Sequence, residues 1–369
     1  MDFIPISQYN FIYYYVILII TLLVFVNSNS NRLDSQTNKD NINATGVFTV
    51  IFLLIYMGLR PINSVFGDMT VYNLVFTAFQ EGELPNYQKD VLFEFLMYQF
   101  SKFSNSAFFF FTVSFFYIIC IYQVCKKLFA EYWFYAFLML ISSITFWAYG
   151  TNGLRNGLAT SVFLWAICQD NKFVKILVLA MSFFIHQSLF LPILAYIVSS
   201  YYKNDKMYFY FWLFAIPFSL ILGKTIENFF ISLGLGDKEM VSLYFTDAID
   251  NEGVEISVGF RWDFIVYSAT AVYSAYYFIH KKQFKDAFYS QLVNIYLFAN
   301  AVWILIIRAN FSNRFSYLSW FMMGIIILYP MLKVKFFEDQ HQIITKILLG
   351  YLFITLMLNI VFVKDGVVT

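Results

Sequence analysis

The side chains best suited to do chemistry in this sequence are arginines at the ends of apolar stretches. Five of the six arginines have this placement, and they are Arg60, Arg155, Arg261, Arg308 and Arg314. A guanidinium group is permanently charged and donates paired hydrogen bonds to phosphate or carboxylate. These arginines therefore predict a site for an anion.

The first of them belongs to a patch with an acid and an aromatic residue. Gly58-Leu59-Arg60 is followed by Gly67-Asp68 and by Tyr72, which stands one helical turn after Asp68. A cation, an acceptor and an aromatic face in one patch would suit a phosphorylated sugar. The alternative is that Arg60 reaches lipid headgroups and Asp68 pairs with it or caps a helix.

The second patch is Asn152-Gly153-Leu154-Arg155-Asn156-Gly157, at the start of an apolar stretch. In the first turn of a helix the dipole disfavours a cation by roughly 0.3–1 kcal/mol. Something outside the helix must compensate Arg155. Free backbone amides at the helix start, together with Arg155, predict an anion site that Gly153 and Gly157 leave accessible.

A single histidine, His186, stands at the apex of a predicted membrane hairpin. Imidazole titrates near neutral pH, so His186 is a candidate general base, with a capping or hydrogen-bonding role as the alternative. One histidine without a His/Cys cluster argues against zinc. A divalent ion bound by Asp68, Glu94 or the acidic residues of 237–263 stays open.

Two further arginines, Arg308 and Arg314, bracket a short turn, and Tyr317 follows on the same helical face as Arg314. Two guanidinium groups would match the two charged groups of a diphosphate. The alternative is an interfacial anchor of basic and aromatic residues. Arg261 is a weaker candidate because Asp263 can neutralise it.

The amino-acid composition of the chain indicates whether these residues lie in a soluble or a membrane protein. Of 369 residues, 60% are apolar and 13% are charged, against about 25% charged residues in soluble domains. These values predict a membrane protein and exclude a soluble enzyme. The net charge of +1 gives no field to attract nucleic acid. The three cysteines show no disulfide or metal-ligand spacing and read as core residues.

The apolar stretches predict an all-α polytopic bundle, because continuous runs do not alternate as barrel strands do. A crossing needs roughly 17–25 mostly apolar residues. About twelve stretches come near this rule, namely 11–26, 43–59, 106–125, 132–149, 153–168, 173–186, 188–202, 207–223, 264–280, 288–307, 315–332 and 343–363.

Lysine clusters set the expected orientation. The positive-inside rule places the clusters at Lys126, Lys172, Lys203, Lys281 and Lys333 in the cytoplasm, which requires two crossings between 172 and 203. The five arginines, His186 and both termini then lie outside. One membrane-embedded domain over 1–369 is expected.

Three segments between the spans differ in character. The Asn-rich segment 27–46 predicts a flexible cytoplasmic loop, and 224–263 predicts an outer loop that covers the site. Segment 60–105 predicts two amphipathic helices on the outer face. The residues that recur at near-helical spacing are Asp68, Tyr72, Phe76 and Phe79, then Val91, Phe95 and Tyr98.

At these residues the sequence resembles the EpsG-type family of bacterial exopolysaccharide polymerases, which overlaps the Wzy-type O-antigen polymerases. The resemblance runs from about residue 50 to 330. Asn156 stands where the family often has glutamine, and Met69 where it often has threonine. The matching pieces are Gly58-Leu59-Arg60 with Gly67-Asp68 and Tyr72; Glu94; Leu154-Arg155-Asn156-Gly157-Leu158-Ala159 with Phe184, His186, Ser188 and Pro192; and Arg314 with Tyr317.

The resemblance implies a fold similar to that of GT-C-type membrane glycosyltransferases and an active site on the outer face of the bacterial cytoplasmic membrane. It implies transfer of a growing glycan from undecaprenyl diphosphate to a lipid-linked repeat unit. No cofactor is implied. The expected partners are the lipid-linked oligosaccharides, the bilayer, and a chain-length regulator and a flippase of the same pathway.

The resemblance also suggests residue roles. Arg155 and Arg314, supported by Arg60 and Arg308, would bind diphosphate, and His186, Asp68 and Glu94 are alternative bases. Residues expected to contact glycan are Tyr72, Asn156, Arg261 and Tyr317. A flippase or a surface-glycan ligase is the alternative function. Strong polar residues concentrate near one face instead of along a path through the membrane, which favours an enzyme.

Overall fold

The computed structural model describes residues 4–232, 260–308 and 312–364, and this part of the chain forms helices and no strand. The all-helical fold is thereby confirmed. The α-helices are α1 (Tyr9–Ser30), α2 (Gln36–Gly58), α3 (Met69–Gln80), α4 (Val91–Ser101), α5 (Ser106–Phe129), α6 (Trp133–Ile141), α7 (Ile144–Thr151), α8 (Leu154–Ile167), α9 (Lys172–Ile185), α10 (Phe190–Tyr201), α11 (Asp205–Ser232), α12 (Trp262–Tyr276), α13 (Ala287–Leu305), α14 (Ser312–Trp320), α15 (Met323–Lys333) and α16 (Gln340–Lys364).

Seven segments within the described ranges are long and apolar enough to cross a membrane, so the chain is a multi-pass membrane protein. These criteria do not support the count of about twelve spans. Four of the other five predicted stretches form helices of 8 to 14 residues, and the fifth forms α12, which continues as a π-helix from Tyr277 to Lys281. The long segments are Ile6–Ser30, Gln36–Gly58, Ser106–Ile141, Asp205–Gly223, Ala287–Leu305, Arg314–Lys333 and Gln340–Asn359.

Polar caps explain why apolar stretches end early. The predicted span 132–149 is divided at Ser142 and Ser143 into α6 and α7. The Ser143 hydroxyl accepts the backbone N–H of Phe146 at 3.1 Å and so begins a new helix. A hydropathy window averages over a single serine cap and therefore does not detect this break.

Where the sequence predicts one domain, the helices gather into two compact units. The first comprises Met1–Phe190 and Leu328–Thr369, and the second comprises Leu191–Ile327.

In the first unit, α8 and α9 are shorter than their neighbour α5, which has 24 residues. Each has 14 residues, which makes it about 21 Å long, against a hydrocarbon core of about 30 Å. Asp170, in the turn between them, bonds to Lys127 in the last turn of α5 at 2.7 Å. The three helices therefore share one level at that end. At the opposite end of this pair, α4 packs against both α9 and α5.

Helices α3 and α4 occupy the segment between α2 and α5. Both predicted helices are present, and in α3 the recurring residues Tyr72, Phe76 and Phe79 are buried. In α4 the buried residues are Phe93 and Met97, whereas Val91 and Tyr98 are half-buried and Phe95 is exposed. Nearly every side of α4 is apolar, so periodicity alone could not identify the face that packs on α5.

The expected flexible loop 27–46 is helical except for residues 31–35. Side-chain amides join the ends of α1 and α2: Asn27 donates to Asn38 at 2.6 Å and receives a hydrogen bond from Asn31 at 2.8 Å. Asn38 also donates to the carbonyl oxygen of Leu33 at 2.8 Å. The polar residues that suggested disorder thus pair with one another in a helical hairpin.

The loop predicted at 224–263 begins later than expected. Helix α11 continues to Ser232, and α12 begins at Trp262. Residues 233–259, with most of the proposed covering loop, lie outside the described residues.

The second unit contains a buried polar network among its apolar helices. Asn300 of α13 accepts the indole N–H of Trp212 at 2.7 Å and donates to Ser268 at 3.2 Å and Ser319 at 2.9 Å. These partners lie on α11, α12 and α14. Trp320 also donates to Ser268, at 2.7 Å. One amide therefore joins three other helices through directional bonds.

We predict that Asn300→Ala lowers the free energy of unfolding by about 2 kcal/mol, at roughly 0.6 kcal/mol for each of the hydrogen bonds that an amide makes inside a membrane bundle. Unfolding of the purified protein in mixed micelles would measure the change. Asn29→Ala, at an exposed position of α1, is the matched control and should match the wild type. Equal stability of both variants would show that the network does not stabilise the second unit.

Candidate functional site

Asp90 is the centre of a polar cluster where α8 begins and α9 ends. It immediately precedes α4, and 7% of its side chain is exposed. Its carboxylate accepts hydrogen bonds from Nη1 of Arg155 at 2.7 Å, from Nδ1 of His186 at 2.8 Å and from the backbone N–H of Gln187 at 3.0 Å. Three parts of the chain, far apart in sequence, thus share one carboxylate.

This contact determines the state of the imidazole. A carboxylate can only accept, so we assign the proton of neutral His186 to Nδ1, which leaves Nε2 as the basic nitrogen. Among the described residues, no hydrogen-bond partner lies at Nε2, and 20% of the His186 side chain is exposed. The ring is therefore oriented by Asp90 and has a free basic nitrogen.

Burial raises the pKa of Asp90, but the hydrogen bond from His186, the positive charge that His186 carries when protonated and the charge of Arg155 outweigh that effect, so this pKa lies below its ordinary value. Asp90 is consequently a carboxylate at neutral pH. It can stabilise a positive charge on His186 whenever the imidazole takes up a second proton.

Arg155 lies between Asp90 and Tyr72. Its Nε donates to the Tyr72 hydroxyl at 3.0 Å, and the guanidinium lies 5.1 Å from the centroid of that ring. The compensation that the sequence attributed to an external anion thus comes from Asp90, within the protein. The side chain remains 35% exposed, and within the described part of the chain its Nη2 has no acceptor.

Two other predicted residues join this cluster from its sides. The amide oxygen of Asn156 accepts the Ser188 hydroxyl at 2.9 Å, which ties the start of α8 to the turn that carries His186. Tyr72 is buried beneath Arg155 and against Phe93, so its ring supports the arginine. The buried position of Tyr72 does not match the glycan contact expected of it. The side chain of Asn156 is half-exposed.

Asp68 stands at the edge of the cluster. Its backbone N–H donates to the side-chain oxygen of Asn152 at 2.9 Å, and its half-buried carboxylate attracts Arg155. The preceding Gly67 has a φ of 59°, and a Cβ there would collide with the Asn152 amide. The Gly67-Asp68 pair therefore lets Asn152 fix the start of α3.

Glu94 was predicted as an alternative base, and the structure gives it a different task. Its two carboxylate oxygens accept the backbone N–H groups of Asn86 at 2.8 Å and Tyr87 at 2.9 Å. Tyr87 and Asp90 both have left-handed backbones, with φ of 52° and 51°. Such conformations cost energy for residues other than glycine and persist only when neighbouring contacts hold them. Glu94 holds the loop that presents Asp90.

Arg60 was predicted to support diphosphate binding, but it is 4% exposed and bonded within the protein. Nη1 donates to the carbonyl oxygen of Met57 and to Ser114, and Nη2 donates to the carbonyl oxygen of Thr151. Burial lowers the pKa of Arg60 to about 10, which leaves it charged at neutral pH. Helices α2 and α7 end here, and their C-terminal carbonyl groups offset this charge.

The remaining predicted residues lie in the second unit. Arg261 forms two hydrogen bonds with Asp263, at 2.9 and 2.6 Å, so the predicted neutralisation occurs. Arg308 is half-buried, Arg314 is exposed at the start of α14, and Tyr317 is buried against Trp320. The diphosphate role of Arg308 and Arg314 and the glycan role of Arg261 and Tyr317 stay predictions.

Sequence reasoning did not find Asp90. An acid directly before an apolar helix is typical of an N-cap, and that is how Asp90 would be interpreted from its neighbours. The available signal was the uncompensated charge of Arg155 in a first turn, which requires an anion without naming it. Among the described residues, no group of three or more His, Cys, Asp or Glu could hold a metal ion.

We predict that Asp90→Asn lowers the free energy of unfolding by about 2–4 kcal/mol at neutral pH, because Arg155 loses its buried counter-charge and His186 loses the charged acceptor of its Nδ1–H. The pKa of Asp90 in the folded protein lies below the ordinary value of 3.8. The carboxylate therefore contributes fully to the stability of the fold above pH 3.8, and this contribution is lost as the pH falls below that value. The stabilities of wild type and variant should therefore become equal only in acid.

Thermal unfolding in detergent between pH 3 and 7 would measure this difference. Asp170→Asn, which removes an exposed partner of Lys127, is the control and should leave the midpoint unchanged. A wild-type advantage that persists unchanged at pH 3 would contradict an ionic role for Asp90.

Comparison with known proteins gives one family match. The model of the EpsG family matches residues 43–368, a range that begins within α2 and covers the polar cluster and the second unit. No curated protein and no solved structure matches the chain. The family match spans almost the entire sequence, and the protein therefore belongs to the EpsG family.

Proposed function

We propose that this protein is a membrane glycosyltransferase that polymerises a surface polysaccharide from lipid-linked repeat units. Membership of the EpsG family supports a polymerase-type function in exopolysaccharide synthesis. The proposed donor is the growing glycan on undecaprenyl diphosphate, and the proposed acceptor is a sugar hydroxyl of a new lipid-linked unit.

The observation that carries this proposal is the Asp90–His186 pair beside the exposed edge of Arg155. A glycosyl transfer needs a base for the attacking hydroxyl and a cation for the leaving diphosphate. Nε2 of His186 and Nη2 of Arg155 supply these two groups. Asp68, half-buried at the edge of the cluster, is the alternative base.

The proposed reaction balances without a cofactor. Nε2 of His186 takes the proton of the acceptor hydroxyl as the hydroxyl oxygen bonds to the anomeric carbon. The bond from that carbon to the diphosphate oxygen breaks, and the electron pair leaves with undecaprenyl diphosphate beside Arg155. Asp90 stabilises the imidazolium that forms, in the same way that a carboxylate supports a catalytic histidine in other enzymes.

We further propose that the cluster faces the exterior of the bacterial cytoplasmic membrane. The lysine distribution supports this orientation, with the shorter helices crossing as well to complete about twelve passes. On that side the glycan would meet the predicted partners of the pathway, a flippase that delivers repeat units and a chain-length regulator.

Complementation of a deletion strain tests the proposed function. Wild type should restore a ladder of long glycans, whereas His186→Ala should leave single repeat units on lipid, with turnover lowered by about 10²–10⁴-fold. Arg155→Lys should also lose chain extension, because lysine cannot reproduce the bonds of Arg155 to both Asp90 and Tyr72. Gel analysis of lipid-linked and surface glycan measures both effects.

The matched controls are His280→Ala and Arg32→Lys, which change a histidine and an arginine outside the cluster and should retain the ladder. Size-exclusion chromatography in detergent would verify that each variant folds. A long-glycan ladder in the deletion strain itself, or full activity of the folded His186→Ala and Arg155→Lys variants, would refute the proposal.

A further inference from the structure

An apolar groove lies beside the polar cluster in the first unit. Its volume is about 550 Å³, and six residues line it: Tyr87, Val91, Leu92, Phe95, Met181 and Phe184. One wall is the loop and the first turn of α4, and the other is the last turn of α9. This volume falls within the range of about 300–1,000 Å³ that is typical of small-molecule sites.

The groove exists because α4 packs through its other side. Phe93 and Met97 are buried, while Phe95, on the groove side, stays 43% exposed. On α9, Met181 and Phe184 are 42% and 49% exposed. Neighbouring helices of the first unit thus leave these large side chains free to contact another molecule.

The same short segments carry both the groove and the polar cluster. Val91 directly follows Asp90, and Phe184 stands two residues before His186. One end of the groove therefore adjoins the carboxylate that holds Arg155. The guanidinium of Arg155 and the apolar groove thus lie next to each other. This arrangement would fit a ligand that has a charged diphosphate head and an apolar tail.

We propose that this groove binds the first isoprene units of the polyprenyl carrier while Arg155 contacts its diphosphate. The proposal rests on the proposed function and adds the position of the lipid tail. The bilayer surrounds the groove with chains that are equally apolar, so tail binding gains little from the hydrophobic effect. Its selectivity comes from packing of branched isoprene units on Phe95 and Phe184, and its affinity from the linkage of the tail to the bound head.

Binding of short diphosphates to the full-length protein in nanodiscs tests the groove. The probes are inorganic pyrophosphate, geranylgeranyl diphosphate, and a saturated alkyl diphosphate with the same number of carbon atoms. We expect wild type to bind the prenyl compound about tenfold more tightly than either of the others. Met181→Trp, which fills the groove, should abolish that preference and leave the affinity for pyrophosphate unchanged.

Phe95→Ala provides a second test that does not depend on accommodating a larger side chain, and it should reduce the preference as well. Leu177→Trp is the matched control, because Leu177 is exposed one turn away on α9 and does not line the groove. This variant should behave as the wild type.

A prenyl preference that survives in both groove variants would overturn the proposal. Equal binding of the prenyl and alkyl compounds by the wild type would overturn it as well, because it would mean that any bilayer chain can occupy the groove. In either case pyrophosphate binding and chain extension would persist, so the proposed function would stand. A wild-type protein that binds no diphosphate and extends no glycan would overturn both.

Discussion

The negative charge of Asp90 is the feature on which the surrounding structure depends. Arg155 cannot lose its proton, and it stands in the first turn of α8, where the helix dipole is unfavourable to a cation. A carboxylate in the interior is itself costly unless hydrogen-bond donors and a counter-charge surround it. Arg155, His186 and the Gln187 backbone donate hydrogen bonds to it at 2.7 to 3.0 Å, and Arg155 supplies the counter-charge. The buried charges of Asp90 and Arg155 therefore stabilise each other.

This mutual dependence accounts for the loop before α4. A left-handed conformation at Asp90 and at Tyr87 is unfavourable in isolation, yet both residues adopt it within a few positions of each other. Glu94 binds two backbone amides of the loop, and the donors to Asp90 hold its other end. Electrostatic attraction and backbone hydrogen bonding thus offset the conformational cost together.

The fold and the site were predictable from the sequence to different degrees. Hydropathy identified the long membrane helices and the buried face of α3, because both follow from the period of apolar residues. The early ends of α6 and the hairpin at 27–46 were not predictable in this way, since single serine and asparagine side chains decide them through hydrogen bonds. For the site, Arg155 and His186 were identified, but Asp90 lies 65 and 96 residues away from them. Short-range patterns do not encode such distant pairing.

The short length of α8 and α9 has a consequence for the surrounding lipid. Under the proposed crossing of α8 and α9, helices of about 21 Å would be shorter than a hydrocarbon core of about 30 Å, and a bilayer adjusts to such a mismatch by becoming thinner. Thinning at this point would bring water and headgroups closer to the level of Asp90. The proposed glycan and the proposed lipid carrier could then meet at one depth, each in the solvent that suits it.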